Sequence, residues 1–222
     1  MTNRKRYLPM IFLLILSFAL SSNLCAIDKK QTGFGNSHFL GGHFGAWVMT
    51  TDEDFLDSLT DFSSSALYAD FFYAHRVAPF LSVEFSIGIF SQGDLEYDTE
   101  SGITTSAVKL YPFFLSAKLY PLSKYENFAL WPYLRLGGGI VHGTRDFTSI
   151  YYGDPANYYV EESQTKITYT WGFGIDWPIA DQIGLSVDYR NTPIKFGKHL
   201  AGLKEYSGWS LTFGIGYILK SK

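Results

Sequence analysis

Beyond residue 26 the chain alternates apolar and polar residues at every second position, in stretch after stretch. After Phe80, Leu81, Val83, Phe85, Ile87 and Ile89 are apolar, whereas Ser82, Glu84, Ser86 and Gly88 are small or charged. After Thr165, Ile167, Tyr169, Trp171, Phe173, Ile175 and Trp177 alternate with Lys166, Thr168, Thr170, Gly172, Gly174 and Asp176. After Gly208, Trp209, Leu211, Phe213, Ile215, Tyr217 and Leu219 alternate with Ser210, Thr212, Gly214 and Gly216. Successive side chains of a β-strand point to opposite faces, so each stretch predicts a strand with one apolar and one polar face. Weaker versions occupy residues 39–50, 66–76, 106–120, 132–143 and 183–190, making eight strands. Only 106–120 is ambiguous in phase, and only before Pro112.

The connections alternate as well. Short turns are predicted at 77–79 and 178–182, with a somewhat longer one at 121–131; long polar segments fill 51–65, 91–105, 144–164 and 191–207. Short turns at one end and long loops at the other describe an up-and-down antiparallel meander. The expected fold class is therefore all-β, an eight-stranded antiparallel barrel over residues 27–222.

Residues 1–26 differ in kind. Arg4, Lys5 and Arg6 precede an apolar run from Leu8 to Leu20 and a small-residue exit at 21–26, the order of a cleaved export signal. That run is too short to span a bilayer comfortably. Cys25, the only cysteine, sits at this exit, but Leu24 before it departs from the lipoprotein pattern, and cleavage after Ala26 removes it. The mature chain then has no thiol chemistry. It also loses three bases and no acid, so the formal charge of −3 becomes −6.

Composition now has a cause. The chain holds 16 Tyr and 19 Phe, yet its mean hydropathy is +0.00, as fine alternation of the two faces requires. Disordered chains and basic nucleic-acid binders are excluded by the high aromatic content and the acidic balance. Two barrels remain: a soluble one with its apolar face inward around a ligand, and a membrane one with its apolar face toward lipid. The polar face favours the second. It carries Gly, Ser and Thr with Asp70, Glu84, Lys118, Arg135, Lys166, Asp176, Asp188 and Arg190, a balanced set suited to a narrow interior. Tyr169, Trp171, Trp177, Tyr189, Trp209 and Tyr217 on the other face fit interfacial aromatic girdles.

With these features the chain resembles the small eight-stranded outer-membrane barrels, of the OmpW-like and OmpA-transmembrane-domain-like kind. The last strand carries the most specific match. Thr212-Phe213-Gly214-Ile215-Gly216-Tyr217-Ile218-Leu219 fits the assembly signal of that class, with Thr212, Gly214, Tyr217 and Leu219 at its defining positions. Pro132-Tyr133 followed by Gly137-Gly138-Gly139 is similar to the fifth strand of the OmpW-like group. Lys220-Ser221-Lys222 stands where the class usually ends in Phe. The resemblance implies the outer membrane of a Gram-negative-type envelope, outer-membrane lipid and lipopolysaccharide around the protein, the barrel assembly machinery as a partner, and a monomer. In the OmpW-like form it also implies porin-like lateral passage of small apolar molecules.

An eight-stranded interior is filled by its own side chains, so the interior charges are expected to form a paired plug rather than a pore. Loops one and two carry Asp52, Glu53, Asp54, Asp57 and Asp61, then Asp94, Glu96, Asp98 and Glu100; loop four carries Lys195, Lys198 and Lys204. These acids serve either as a solvated face or as sites for divalent cations bridging lipopolysaccharide or for a basic ligand; no calcium-loop spacing is present. No cofactor, metal site or nucleic-acid partner is expected. The alternative functions are a lipid A acyl-modifying enzyme, whose Ser and His would need an orienting carboxylate, and a surface adhesion or ligand-binding barrel. His43 and His142 are expected to point inward near hydroxyls.

Overall fold

The computed structural model describes residues 37–50, 65–99, 102–123, 130–151, 158–200 and 203–220. The export segment, loop one with its five acids, and Glu100 lie outside the described residues. Among the described residues ten strands follow one another: β1 (Ser37–Met49), β2 (Ser65–Ala78), β3 (Leu81–Thr99), β4 (Gly102–Leu119), β5 (Trp131–Tyr151), β6 (Tyr158–Pro178), β7 (Ile183–Thr192), β8 (Lys195–Leu200), β9 (Leu203–Glu205) and β10 (Gly208–Lys220). Eight of them close an antiparallel barrel in the order β1-β10-β7-β6-β5-β4-β3-β2, the fold class the alternation predicts. Closure runs through the pairing of β1 with β10, from Ser37↔Lys220 to Met49↔Gly208.

The period-two pattern sets which face meets which medium. Phe71, Phe85, Leu115, Leu134, Leu136, Ile167, Phe173, Phe213 and Ile215 stand exposed on the outside, while Glu84, Lys118, Asp188 and Thr212 are wholly buried inside. A soluble barrel would reverse this. The outward apolar belt and charged lumen are those of a transmembrane barrel.

Two expectations about the connections need correction. Residues 91–105 and 144–164 are not mainly loop: β3 and β4 pair as far as Thr99↔Gly102, and β4 and β5 as far as Gly102↔Tyr151. Pairing of β2 with β3 stops at Leu67↔Ser91, and of β6 with β7 at Trp171↔Asn191, so four strands stand above the rim of the closed barrel. Polar alternation away from lipid is still strand-forming when a neighbour supplies the backbone bonds. Likewise, 191–207 is not a polar loop. It holds the β8–β9 hairpin, whose Ile194, Phe196, Leu200, Leu203 and Tyr206 are buried.

Candidate functional site

Every barrel strand sends alternate side chains into the lumen, and near the turn end those side chains are charged. Asp70 on β2, Arg190 and Asp188 on β7, Arg135 on β5, Glu84 on β3, Lys118 on β4 and Asp176 on β6 are all buried. They form one chain of contacts with alternating sign. Arg190 Nη1 lies 2.5 Å from Asp70 Oδ2, and its Nε 3.3 Å from Asp188 Oδ1. Arg135 Nη1 meets Asp188 Oδ2 at 2.6 Å and its Nη2 pairs with Glu84. Lys118 Nζ is 2.7 Å from Glu84 Oε2 and 3.8 Å from Asp176 Oδ1. An isolated buried charge would be prohibitive, and here each one has an oppositely charged neighbour.

Aromatic side chains complete the layer. The hydroxyls of Tyr68, Tyr133 and Tyr120 donate to Asp70, Asp188 and Asp176 at 2.8, 2.8 and 2.7 Å. Arg76, on the same face of β2 as Asp70, closes the turn end. Its guanidinium lies over the Tyr120 and Trp131 rings at 4.4 and 4.6 Å and donates to the carbonyl of Pro79. With Arg76 the layer holds four acids and four bases. Arg76, Tyr68 and Tyr120 were not singled out from sequence, and Tyr133 only as part of the Pro132-Tyr133 motif; the even-numbered parity of β2 and β4 and the odd parity of β5 were the available signal for the layer.

Lys166 does not belong to this layer. It has inward parity but is exposed, because β7 stops pairing with β6 at Trp171 and no opposite wall encloses it. Among the girdle residues, Tyr169, Trp171, Trp177 and Tyr217 are exposed on the outer face. Tyr189 and Trp209 are half-buried, since Phe173, Tyr189 and Trp209 stack in sequence with centroids 5.0 and 6.0 Å apart. Within the assembly-signal segment, Tyr217 and Leu219 face outward, whereas Thr212 faces the lumen and Gly214 leaves the space that His43 and Ser186 fill.

His43 is buried, with Nδ1 2.6 Å from Asp70 Oδ1 and 3.0 Å from Arg190 Nη2, and its ring stacks on Phe72 at 4.3 Å. It therefore has the orienting carboxylate that an acyl-transfer His needs. Ser186 Oγ borders the same small space beside Gly214, but neither it nor His43 Nε2 has a hydrogen-bond partner. No nucleophile–base bond joins them, and both side chains are buried. The inward expectation for His142 is corrected. The alternation that sends Ile140 outward sends His142 outward too, where Nδ1 meets Thr165 Oγ1 at 2.9 Å. Among the described residues no group of three or more His, Cys, Asp or Glu is arranged to hold a metal.

Above the charged layer the lumen becomes apolar. Trp47, Phe90, Val108, Leu110, Phe114 and Val141 point inward and pack with Ile194, Phe196, Leu200, Leu203 and Tyr206 of the hairpin. Trp47 and Phe90 stack at 4.5 Å. The hairpin is tied down at its edge by Gln164 of β6, whose Nε2 donates to His199 O and whose Oε1 accepts from Lys198 N, both at 3.0 Å. This inward apolar set explains the ambiguous phase before Pro112: Val108 and Leu110 are apolar on the inner face while Lys109 carries its charge on the outer one, the reverse of the rest of the barrel.

Solved structures with the same architecture are outer-membrane barrels. The outer membrane protein OprG of Pseudomonas aeruginosa superposes with a TM-score of 0.56 at 14% identity, over 84% of this chain and 97% of that one. A major outer membrane protein from Thermus thermophilus gives 0.53 at 10% identity, covering 82% and 99%. Ail, the attachment invasion locus protein of Yersinia pestis, described in complex with the heparin analogue sucrose octasulfate, gives 0.52 at 15% identity, covering 83% and 97%. No family model and no curated protein matches the sequence. The chain thus has the fold of the small eight-stranded outer-membrane β-barrels.

Proposed function

We propose that the protein is a monomeric integral outer-membrane barrel, exported by residues 1–26, that works as a structural and surface-presenting element with a lumen closed to hydrophilic solutes. The observation that carries this is the unbroken chain of seven alternating charges, drawn from six strands and lying beneath an apolar cap. Its turn end faces the periplasm, its surroundings are outer-membrane lipid and lipopolysaccharide, and Thr212, Gly214, Tyr217 and Leu219 are read by the assembly machinery. The nine acids that the sequence places in the connections at 51–65 and 91–105 add negative charge, which disfavours a polyanion of the kind bound by Ail. The test is fractionation followed by conductance. The full-length protein is expected in the outer-membrane fraction, to run differently on a denaturing gel before and after boiling, and to give no steady ion current in a planar bilayer. A soluble protein without the mobility shift would refute the membrane assignment, and a stable ohmic current would refute the closed lumen.

A second function is favoured by the apolar upper lumen. If the hairpin lifts, the exposed Trp47, Phe90, Leu110 and Phe114 surface suits a small apolar solute. Uptake of such a solute into protein-containing vesicles, absent from empty ones, would establish it.

A further inference from the structure

Among the described residues, outward positions on the barrel wall near the turn end are apolar or aromatic, with two exceptions. His38 on β1 and His75 on β2 both face outward, and they oppose each other directly in the β1–β2 pairing. Their rings stack with centroids 4.6 Å apart and planes 21° apart. The His38 ring also stacks on Tyr73 at 5.7 Å, and its Nδ1 meets the Tyr73 hydroxyl at 2.6 Å. His75 Nδ1 is buried and has no hydrogen-bond partner. Exposed Val77 and Phe80 lie beyond the pair toward the turn, Leu219 lies beside it on β10, and Phe71 and Leu40 lie above it. Two imidazoles are thus set inside the lower edge of a lipid-facing belt, where polar groups are costly and mark function.

The stacking geometry decides between ligand classes. A metal ion lies in the plane of each imidazole that binds it, and two nearly parallel planes share no such point close by. Side-by-side N–H donors instead suit an anion with two or more oxygens, and the apolar rim suits acyl chains. We propose that His38, His75 and Tyr73 form a headgroup site for the phosphodiester of a phospholipid in the leaflet next to the short turns. This rests on the membrane assignment above. The imidazole N–H groups donate to phosphate oxygens, the Tyr73 hydroxyl holds the His38 ring through its bond to Nδ1, and Leu40, Phe71, Val77 and Leu219 meet the chains.

The test uses the full-length protein in detergent, probed by native mass spectrometry with phosphatidylglycerol, with diacylglycerol of the same chains, and with inorganic phosphate. The wild type is expected to retain one phosphatidylglycerol through detergent exchange. His38→Gln with His75→Gln should lower that occupancy about tenfold, and Tyr73→Phe should lower it less. Equal retention of phosphatidylglycerol by the double variant, or equal retention of diacylglycerol by the wild type, would overturn the proposal. Inorganic phosphate held as well as the lipid would replace the lipid site with a free-anion site. Stoichiometric zinc binding that requires both histidines would replace it with a metal site. The heat-dependent gel shift separates these results from misfolding. If the double variant loses the shift, His75→Gln alone takes its place, with the same expected fall in occupancy. If the wild type itself lacks the shift, the membrane assignment fails first.

Discussion

The lumen has two layers that keep water out by opposite means. Near the turns, seven alternating charges and Arg76 leave each buried ion with an oppositely charged or aromatic neighbour. Toward the loops, inward apolar side chains meet a separate β-hairpin that supplies the missing apolar surface. The charged layer is made by the barrel strands themselves, each residue held by two neighbouring strands, so it cannot be removed without opening the wall. The apolar layer takes five of its thirteen buried side chains among the described residues from one connection between β7 and β10. The first is therefore part of the wall, and the second is expected to yield before it.

Removing one member of the charged layer should have the largest effect. Asp188 touches Arg135, Arg190 and the Tyr133 hydroxyl, and Asp188→Ala would leave two guanidinium groups short of a counter-ion. A loss of about 3–5 kcal/mol is expected, read as a lowered urea midpoint for the boiled-form gel transition of protein refolded into vesicles. A midpoint within error of the wild type would mean that the layer is hydrated and loosely held, and the contrast between layers would collapse.

Leu200→Ala probes the cap. Leu200 is fully buried against the inward side chains, and truncation should cost about 2–5 kcal/mol. That cost should fall on the hairpin rather than on the barrel. Limited proteolysis at residues 195–205 should accelerate while the urea midpoint of the barrel stays unchanged. A matched fall in barrel stability would show that cap and barrel unfold as one unit.

The same contrast governs what could be read from the chain. Strand parity was legible wherever one face was charged and the other aromatic or aliphatic, as at Asp70–Phe71 and Arg135–Leu136. It failed at Val108 to Tyr111, where the inner face is apolar and the outer one carries Lys109, because the inner face there is packed by another part of the chain. The hairpin was invisible for a related reason. Ile194, Phe196, Leu200, Leu203 and Tyr206 keep no single period, being interrupted by Pro193, Gly197 and Gly202, and their partner surface is inside a barrel that must exist first. Arg76 was hidden by position, since a charge next to a turn looks solvent-exposed until Tyr120 and Trp131 are placed around it. Asp70 beside His43 lies 27 residues away in sequence, a proximity set by barrel register alone.

Glycines of the lumen and of the outer wall should also respond differently to an added methyl group. A Cβ on Gly214 would overlap Ser186 Oγ and the His43 ring, and both are packed in the charged layer. Gly214→Ala should therefore cost about 1–3 kcal/mol through overpacking. Gly138 faces outward, and a methyl added there would have Thr168 O as its nearest neighbour at 3.9 Å, so Gly138→Ala should change the midpoint by less than about 0.5 kcal/mol. Equal effects at the two positions would mean that the lumen has slack the contacts do not suggest.

The smallest predicted effect is a pH dependence confined to the cap. The Tyr206 hydroxyl is buried and donates to Leu200 O. Burial raises its ionisation well above the ordinary tyrosine value, with Arg145 opposing and Glu162 adding to the shift. By linkage, a group whose folded value is raised contributes stability below its unfolded value of about 10 and loses it as pH climbs further. Once the hairpin is free, Tyr206 ionises, and each further unit of pH then favours the open form by up to about 1.4 kcal/mol. Near-ultraviolet circular dichroism of the Phe196–Tyr206 and Trp47–Phe90 cluster should therefore decline between about pH 9 and about pH 11. Tyr206→Phe should begin with a cap weaker by about 1 kcal/mol, from the lost hydrogen bond, yet show a flat profile over that window. If wild type and variant decline together, the cap is not opening at Tyr206, and the charged layer rather than the hairpin is the alkali-sensitive part of the lumen.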